Sequence, residues 1–157
     1  MDFKLTEKEE ALKKEFETFF AAEMKNAPAD FGNGGIESIY TSDEGFEFHK
    51  YMARKLGEKK WLSLGWPKEY GGLEATIMEQ VIFDDVRGYY SAPGVDAFAV
   101  GMFAPTLLAG ATEEQKQRLL PPIANGEAYY CQGWSEPDAG SDLASVTTTA
   151  IREGDHY

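Results

Sequence analysis

Cysteine is nearly absent from this 157-residue sequence: Cys131 stands alone, has no partner for an internal disulfide, and points to a reducing compartment, the cytoplasm. Histidine is scarce as well. His49 sits in a helical pattern with no cysteine or second histidine near it in the sequence, and His156 lies next to the last residue, so no metal centre is expected. Basic residues are outnumbered, 15 Lys and Arg against 27 Asp and Glu, and a net charge of −12 repels phosphate backbones and anionic lipid headgroups. Nucleic acid and membrane surfaces are therefore poor partners, although a nucleotide cofactor held locally by backbone N–H groups and hydroxyls is compatible with the charge. No run approaches the roughly 20 apolar residues that span a bilayer, and the opening MDFKLTEKEEALKK has no apolar signal core. Internal repeats and low-complexity tracts are lacking too.

What is present is mostly helical patterning, in a chain long enough for one domain or for one domain and a fragment. Thr6 followed by Glu9 is a capping box, and Leu12, Phe16, Phe19, Phe20 and Met24 fall on one face of the helix it opens. Residues 27–41, with Pro28 and three glycines, read as a loop. A second helix is predicted from about Asp43 to Leu64, carrying Phe48, Met52 and Leu56, tolerating Gly57 and stopping at Gly65. Pro67 and the Gly71-Gly72 pair then force turns before a third helix, Ala75 to Tyr89. Between Gly94 and Gly110 the chain is apolar nearly all round, which predicts a buried central helix bent at Pro105. Thr112 and Gln115 form another capping box, and Pro121-Pro122 are expected to end that short helix.

The texture changes after Gly126. Residues 128–134 are aromatic-rich and poor in helix formers, and residues 146–151 are again β-prone, leading into a hairpin turn at Arg152-Glu153-Gly154-Asp155. The fold class is thus mainly α: a helical bundle domain over residues 1–126, then the first strands of a β-barrel domain over 127–157. A strand left as an unpaired edge is rare in natural chains, so a continuation beyond Tyr157 is expected.

The densest chemical signal is Trp134-Ser135-Glu136-Pro137-Asp138-Ala139-Gly140-Ser141-Asp142. Its small residues let a ligand approach the backbone, Pro137 fixes one φ, and two hydroxyls stand six positions apart. Composition alone favours a solvated turn. Its place after a strand ending in Trp134, a surface for a planar ring, raises the binding reading.

This segment is similar to the flavin-binding signature of the acyl-coenzyme A dehydrogenase family: Thr or Ser, Glu-Pro, a variable residue, then Ala-Gly-Ser-Asp. GWPKEYGG resembles that family's helix-to-helix turn, LLAGATEEQKQRLLPPIANGE its approach to the β-domain, and TTTAIREGDHY the hairpin after the signature. The resemblance covers nearly the whole chain. It implies an N-terminal helical domain, a middle β-domain and a C-terminal four-helix domain, with FAD between the last two. Gln132, Gly133, Trp134 and Ser135 would lie against the pyrimidine side of the flavin, and Gly140 and Ser141 against the flavin or the acyl-coenzyme A. Ser135 stands where many members carry Thr, and Trp134 is bulkier than the residue often found there. Phe98, Met102 and Phe103, first read as core, would on the resemblance also line the acyl pocket.

The implied reaction is removal of the α-proton of an acyl-coenzyme A and transfer of the β-hydrogen to FAD, giving a trans-2-enoyl thioester. Electrons would pass to an electron-transfer flavoprotein, and the complete protein would be a homotetramer or heterotetramer. No catalytic residue is assigned: the family's basic Glu and its Trp-x-Thr strand are expected beyond Tyr157, and an isolated 1–157 chain is expected to be inactive and to hold no FAD. Glu136 is better suited to holding the loop than to acting as base. Cys131 reads as a small strand residue, and Trp61 and Trp66 as packing. An oxidase or monooxygenase of the same fold, and a non-catalytic helical packing module, are the alternatives. The acyl group is unassigned, with a resemblance in flavour to relatives acting on bulky cyclic or branched thioesters.

Overall fold

The computed structural model describes residues 4–29, 31 and 39–157. Among the described residues five α-helices follow one another: α1 (Glu7–Glu23), α2 (Asp43–Glu58), α3 (Ile77–Tyr89), α4 (Ala104–Gly110) and α5 (Glu113–Ala124). Most of the expected loop at 27–41 lies outside the described residues. Three helices start on capping boxes, with the hydroxyls of Thr6, Thr76 and Thr112 accepting from the backbone N–H three residues on, and Glu9, Glu79 and Gln115 reaching back. Ser42 caps α2 alone, its Oγ 3.0 Å from the Gly45 N–H.

Phe16 and Phe20 of α1 are fully buried against Met52 and Leu56 of α2 and Ile82, Phe83 and Val86 of α3. Rings meet edge-on, Phe16 to Trp61 at 4.7 Å and Phe16 to Phe83 at 5.3 Å. Burial of each such side chain is worth about 1.5–3 kcal/mol. Lys8 of α1 reaches Glu79 of α3 at 2.6 Å, fastening the two helix starts together. A second cluster holds Trp66, Tyr70, Ala99, Ala104, Leu107, Leu120 and Ile123.

Helix ends depart from the sequence reading. Instead of running to Leu64, α2 stops at Glu58: Lys60 takes a left-handed φ of 59°, the Lys60 N–H donates to the Gly57 carbonyl at 2.8 Å, and the Trp61 N–H donates to that of Leu56 at 2.9 Å. This reversal lets Trp61, Leu62, Leu64 and Trp66 enter the core, which a continuing helix could not do. In α5 the chain passes through Pro121 and Pro122 and stops beyond them, at Ala124. Burial of Leu120, Ile123 and Ala124 holds this last turn. It closes on Gly126, at φ 69°, through Gly126 N–H to Ile123 carbonyl and Glu127 N–H to Pro122 carbonyl bonds of 3.0 and 2.9 Å.

The apolar run at 94–110 is not a helix buried all round. It enters a π turn at Ala99–Phe103 before α4, with the Phe103 N–H donating to the Phe98 carbonyl at 2.8 Å. Pro105 has no N–H to offer the Gly101 carbonyl and crowds it in a regular helix, and a wider turn ahead of it accommodates both. Ala99, Ala104 and Leu107 face inward, whereas Gly101 and Met102 are exposed, because only one side of this run meets α5 and residues 66–70.

After Gly126 the chain leaves the helices. Residues 128–134 and 146–151 take a non-helical course, but among the described residues no strand ladder forms; only isolated bridges pair Glu136 with Ala139 and Glu153 with His156. The second bridge is the turn expected near the C-terminus, one residue further on. A ladder needs a second strand alongside, and none is adjacent to these runs.

Candidate functional site

A groove of about 340 Å³ lies between the π turn with the start of α4 and the segment 130–134. Phe98, Met102, Phe103 and Thr106 line one wall; Tyr130, Cys131, Gln132, Gly133 and Trp134 line the other. The π turn decides which side chains face it. Adding one residue to a turn swings Phe98, Met102 and Phe103 toward the groove while Ala99 and Ala104 remain in the core. The Phe103 ring packs on Tyr130 at 4.5 Å, and the Gln132 amide contacts the Met102 sulfur at 3.3 Å across the opening.

Trp134 presents its indole to solvent, 70% exposed. Among the described residues, the backbone N–H groups of 131–135 donate to no protein acceptor, so a row of donors runs beside an apolar wall and an exposed planar ring. Such donors suit the polar edge of a ligand whose flat body lies on the indole.

The following loop is held by its own hydrogen bonds. Glu136 and Ala139 exchange backbone bonds of 2.8 and 3.2 Å across Pro137-Asp138. The Glu136 carboxylate accepts from the Thr147 N–H at 2.9 Å, the Thr147 hydroxyl at 3.2 Å and the Thr148 N–H at 2.6 Å. Donation from the Thr147 backbone, then from Thr148, holds its carboxyl down at about 2. Glu136 therefore staples the loop to residues 147–148, the role its place in the motif suggested. A Cβ at position 140 would start only 3.9 Å from the Ser135 hydroxyl, which shows how closely the two ends of the loop come together. Ser135, Gly140 and Ser141 do not line the groove; they stand exposed beside its 134 end.

The structure thus joins Phe98, Met102 and Phe103 with Gln132, Gly133 and Trp134, two groups drawn from segments about thirty residues apart. Sequence reading missed Thr106 and Tyr130 as lining, and it missed Asp96. Asp96 is 8% exposed; its Oδ1 accepts from Phe98 and Ala99 N–H at 2.8 and 2.9 Å, and its Oδ2 from Tyr130 N–H at 3.1 Å. An aspartate directly before an apolar helical run is an N-cap signal, and that signal was available. Cys131 is an exposed groove residue rather than a strand residue, and His49 is buried, its Nδ1 accepting from Gly94 N–H at 3.1 Å. Among the described residues no group of three or more His, Cys, Asp or Glu side chains could hold a metal ion.

The sequence from residue 6 to 127 matches the model of the acyl-CoA dehydrogenase N-terminal domain. The chain belongs to the acyl-CoA dehydrogenase family. It is 38% identical over 162 residues to the acyl-CoA dehydrogenase FadE26 of Mycobacterium tuberculosis, an alignment covering all of this chain and 38% of that protein. The fold matches the ChsE4-ChsE5 complex from Mycobacterium tuberculosis with a TM-score of 0.75 and 37% identity, over 99% of this chain and 37% of that one. It also matches a protein described as the Tcur3481-Tcur3483 steroid ACAD, with a TM-score of 0.74 and 34% identity, over 99% of this chain and 38% of that one. The chain therefore spans less than two fifths of the length of these relatives. Among the described residues no helix is long and apolar enough to cross a membrane.

Proposed function

We propose that this chain, within a protein of the length of its relatives, serves FAD-dependent α,β-dehydrogenation of an acyl-coenzyme A thioester. The supporting observation is the groove itself, with Phe98, Met102 and Phe103 on one wall and the N–H groups of residues 131–134 on the other. FAD, when bound, supplies the two-electron acceptor for the β-hydrogen. The residues fit such a group: the N–H row and the Ser135 hydroxyl would hold its polar edge, and the Trp134 indole would cover part of its plane. Gly140 and Ser141 would border it or the thioester, with residues 1–126 as the helical domain and 127–157 as the start of the β-domain.

The apolar wall would take the acyl group. A bulky cyclic acyl group is the class proposed, supported by the apolar lining of the groove and by the likeness to a protein described as a steroid ACAD. Glu136 does not remove the α-proton, because both its oxygens are committed to Thr147 and Thr148 and a carboxyl held near 2 is too weak a base. That base would come from elsewhere in the complete protein. Reoxidation would fall to an electron-transfer flavoprotein, and the assembly would be tetrameric.

The test is a panel of straight-chain and cyclic acyl-coenzyme A thioesters with an artificial electron acceptor, run on the protein extended to the length of its relatives. Ser135→Ala is expected to weaken flavin binding or slow its reduction by ~1–3 kcal/mol. Gly140→Val should lose flavin from a folded protein where Asp138→Ala keeps it, since a branched Cβ blocks close approach. Equal flavin content in both, with no enoyl product from any thioester, would overturn the reading.

A further inference from the structure

We propose that Asp96 is the positioning residue that sets the distance between the two walls of the groove and, through it, the acyl preference; the second half of this statement rests on the function proposed above. One carboxylate serves both walls. Oδ1 accepts from the Phe98 and Ala99 N–H groups, and the Asp96 carbonyl takes the Val100 N–H at 2.8 Å, so this residue begins the helical run that carries Phe98, Met102 and Phe103. Oδ2 accepts from the N–H of Tyr130, the first residue of the opposite wall, 34 positions later. No strand ladder holds residues 130–134 among the described residues, and the other contacts across the groove include the Phe103–Tyr130 ring contact, the Met102–Gln132 contact and the packing of Tyr130 against the second core cluster. These are soft contacts of side chains, whereas Asp96 fixes backbone to backbone through three charge-assisted bonds to one buried residue. Loss of the Oδ2 bond alone frees the Tyr130 end and lets the 130–134 wall shift without unfolding the helix.

The two oxygens can be separated chemically. Asp96→Asn keeps one acceptor, so the helix N–H groups and the Tyr130 N–H cannot both be satisfied. Asp96→Ser keeps a capping hydroxyl for the helix start and is too short to serve Tyr130 as well. In the 157-residue chain, with far-UV circular dichroism confirming the fold of each variant, amide exchange at Phe98, Ala99 and Tyr130 reads the tie. Exchange at Tyr130 should quicken by ~10-fold or more in Asp96→Ser while Phe98 and Ala99 stay within ~3-fold; Asn should release one side or the other. In the FAD-loaded, full-length protein the same variants should raise KM for a bulky cyclic thioester more than KM for a short straight-chain one, a shift in preference of ~3–10-fold. Unchanged exchange at all three amides in both variants overturns the proposal, as does an unchanged preference in a variant whose Tyr130 amide is released. A wild-type protein that takes neither FAD nor acyl-coenzyme A overturns the proposed function instead, and amide exchange alone then decides whether Asp96 ties the two walls.

Discussion

Gly57 lies in the last turn of α2, where an alanine would ordinarily help, since glycine inside a helix is worse by about 0.5–1 kcal/mol. Here the packing reverses the sign. A Cβ built on Gly57 falls 2.5 Å from both the carbonyl carbon and oxygen of Asn125, and 2.8 Å from its Cα. These are backbone atoms at the closed end of α5, so relief requires α2 and α5 to separate by roughly 1 Å, an overpacking that costs ~1–3 kcal/mol. Subtracting the helical gain leaves Gly57→Ala destabilising by up to about 2.5 kcal/mol. Gly88 is the control: it sits near the end of α3 with nothing within 4 Å of its Cβ position and no left-handed φ, so Gly88→Ala should stabilise by about 0.5–1 kcal/mol. Urea unfolding of the two variants, followed by circular dichroism, compares them directly. Equal midpoints, or a Gly57→Ala protein more stable than wild type, would refute the close-approach argument.

Burial holds His49 below its ordinary 6.5, against an opposing pull from Asp96, so the unfolded chain binds the extra proton more readily. Its contribution should be complete above about pH 6.5 and fade as pH falls through the lower folded value; urea midpoints at descending pH should show that slope, and His49→Gln should flatten it. The Glu136 carboxyl, held at about 2, makes its full contribution above the ordinary 4.5 and loses it progressively as pH falls from there through about 2. Amide resonances of Thr147 and Thr148 should therefore stay in place from neutral pH down to about pH 3 and collapse toward random positions in Glu136→Ala. Thr76→Ala, which removes the hydroxyl half of the α3 capping box, should cost about 1 kcal/mol, measured as a fall in the urea midpoint.

The helix starts were legible because a capping box is written within four residues. Thr6 with Glu9 and Thr112 with Gln115 announce themselves without any knowledge of the fold. The buried face of α1 was legible for a similar reason: a 3.6-residue period places Phe16 and Phe20 together whatever they pack against. Helix ends were not. Whether Lys60 accepts a left-handed φ, or α5 runs on through Pro121 and Pro122, depends on what the next residues gain by burial, and those gains come from other helices.

The candidate site divides in the same way. Local composition marked the 134–142 loop, and the Glu136 staple reaches only eleven and twelve residues along the chain. The pairing of Met102 with Gln132, the bonding of Asp96 to Tyr130 and the contact of Gly57 with Asn125 link residues from about 30 to 68 positions apart. Sequence by itself determined which segments would be helices, where most begin, which face of α1 is apolar and which loop could meet a ligand, because each rests on neighbours within a few turns. Only the tertiary structure decided where helices stop, which apolar residues remain exposed to line a groove, and which carboxylate holds its walls together, because those outcomes follow from burial shared between distant parts of the chain.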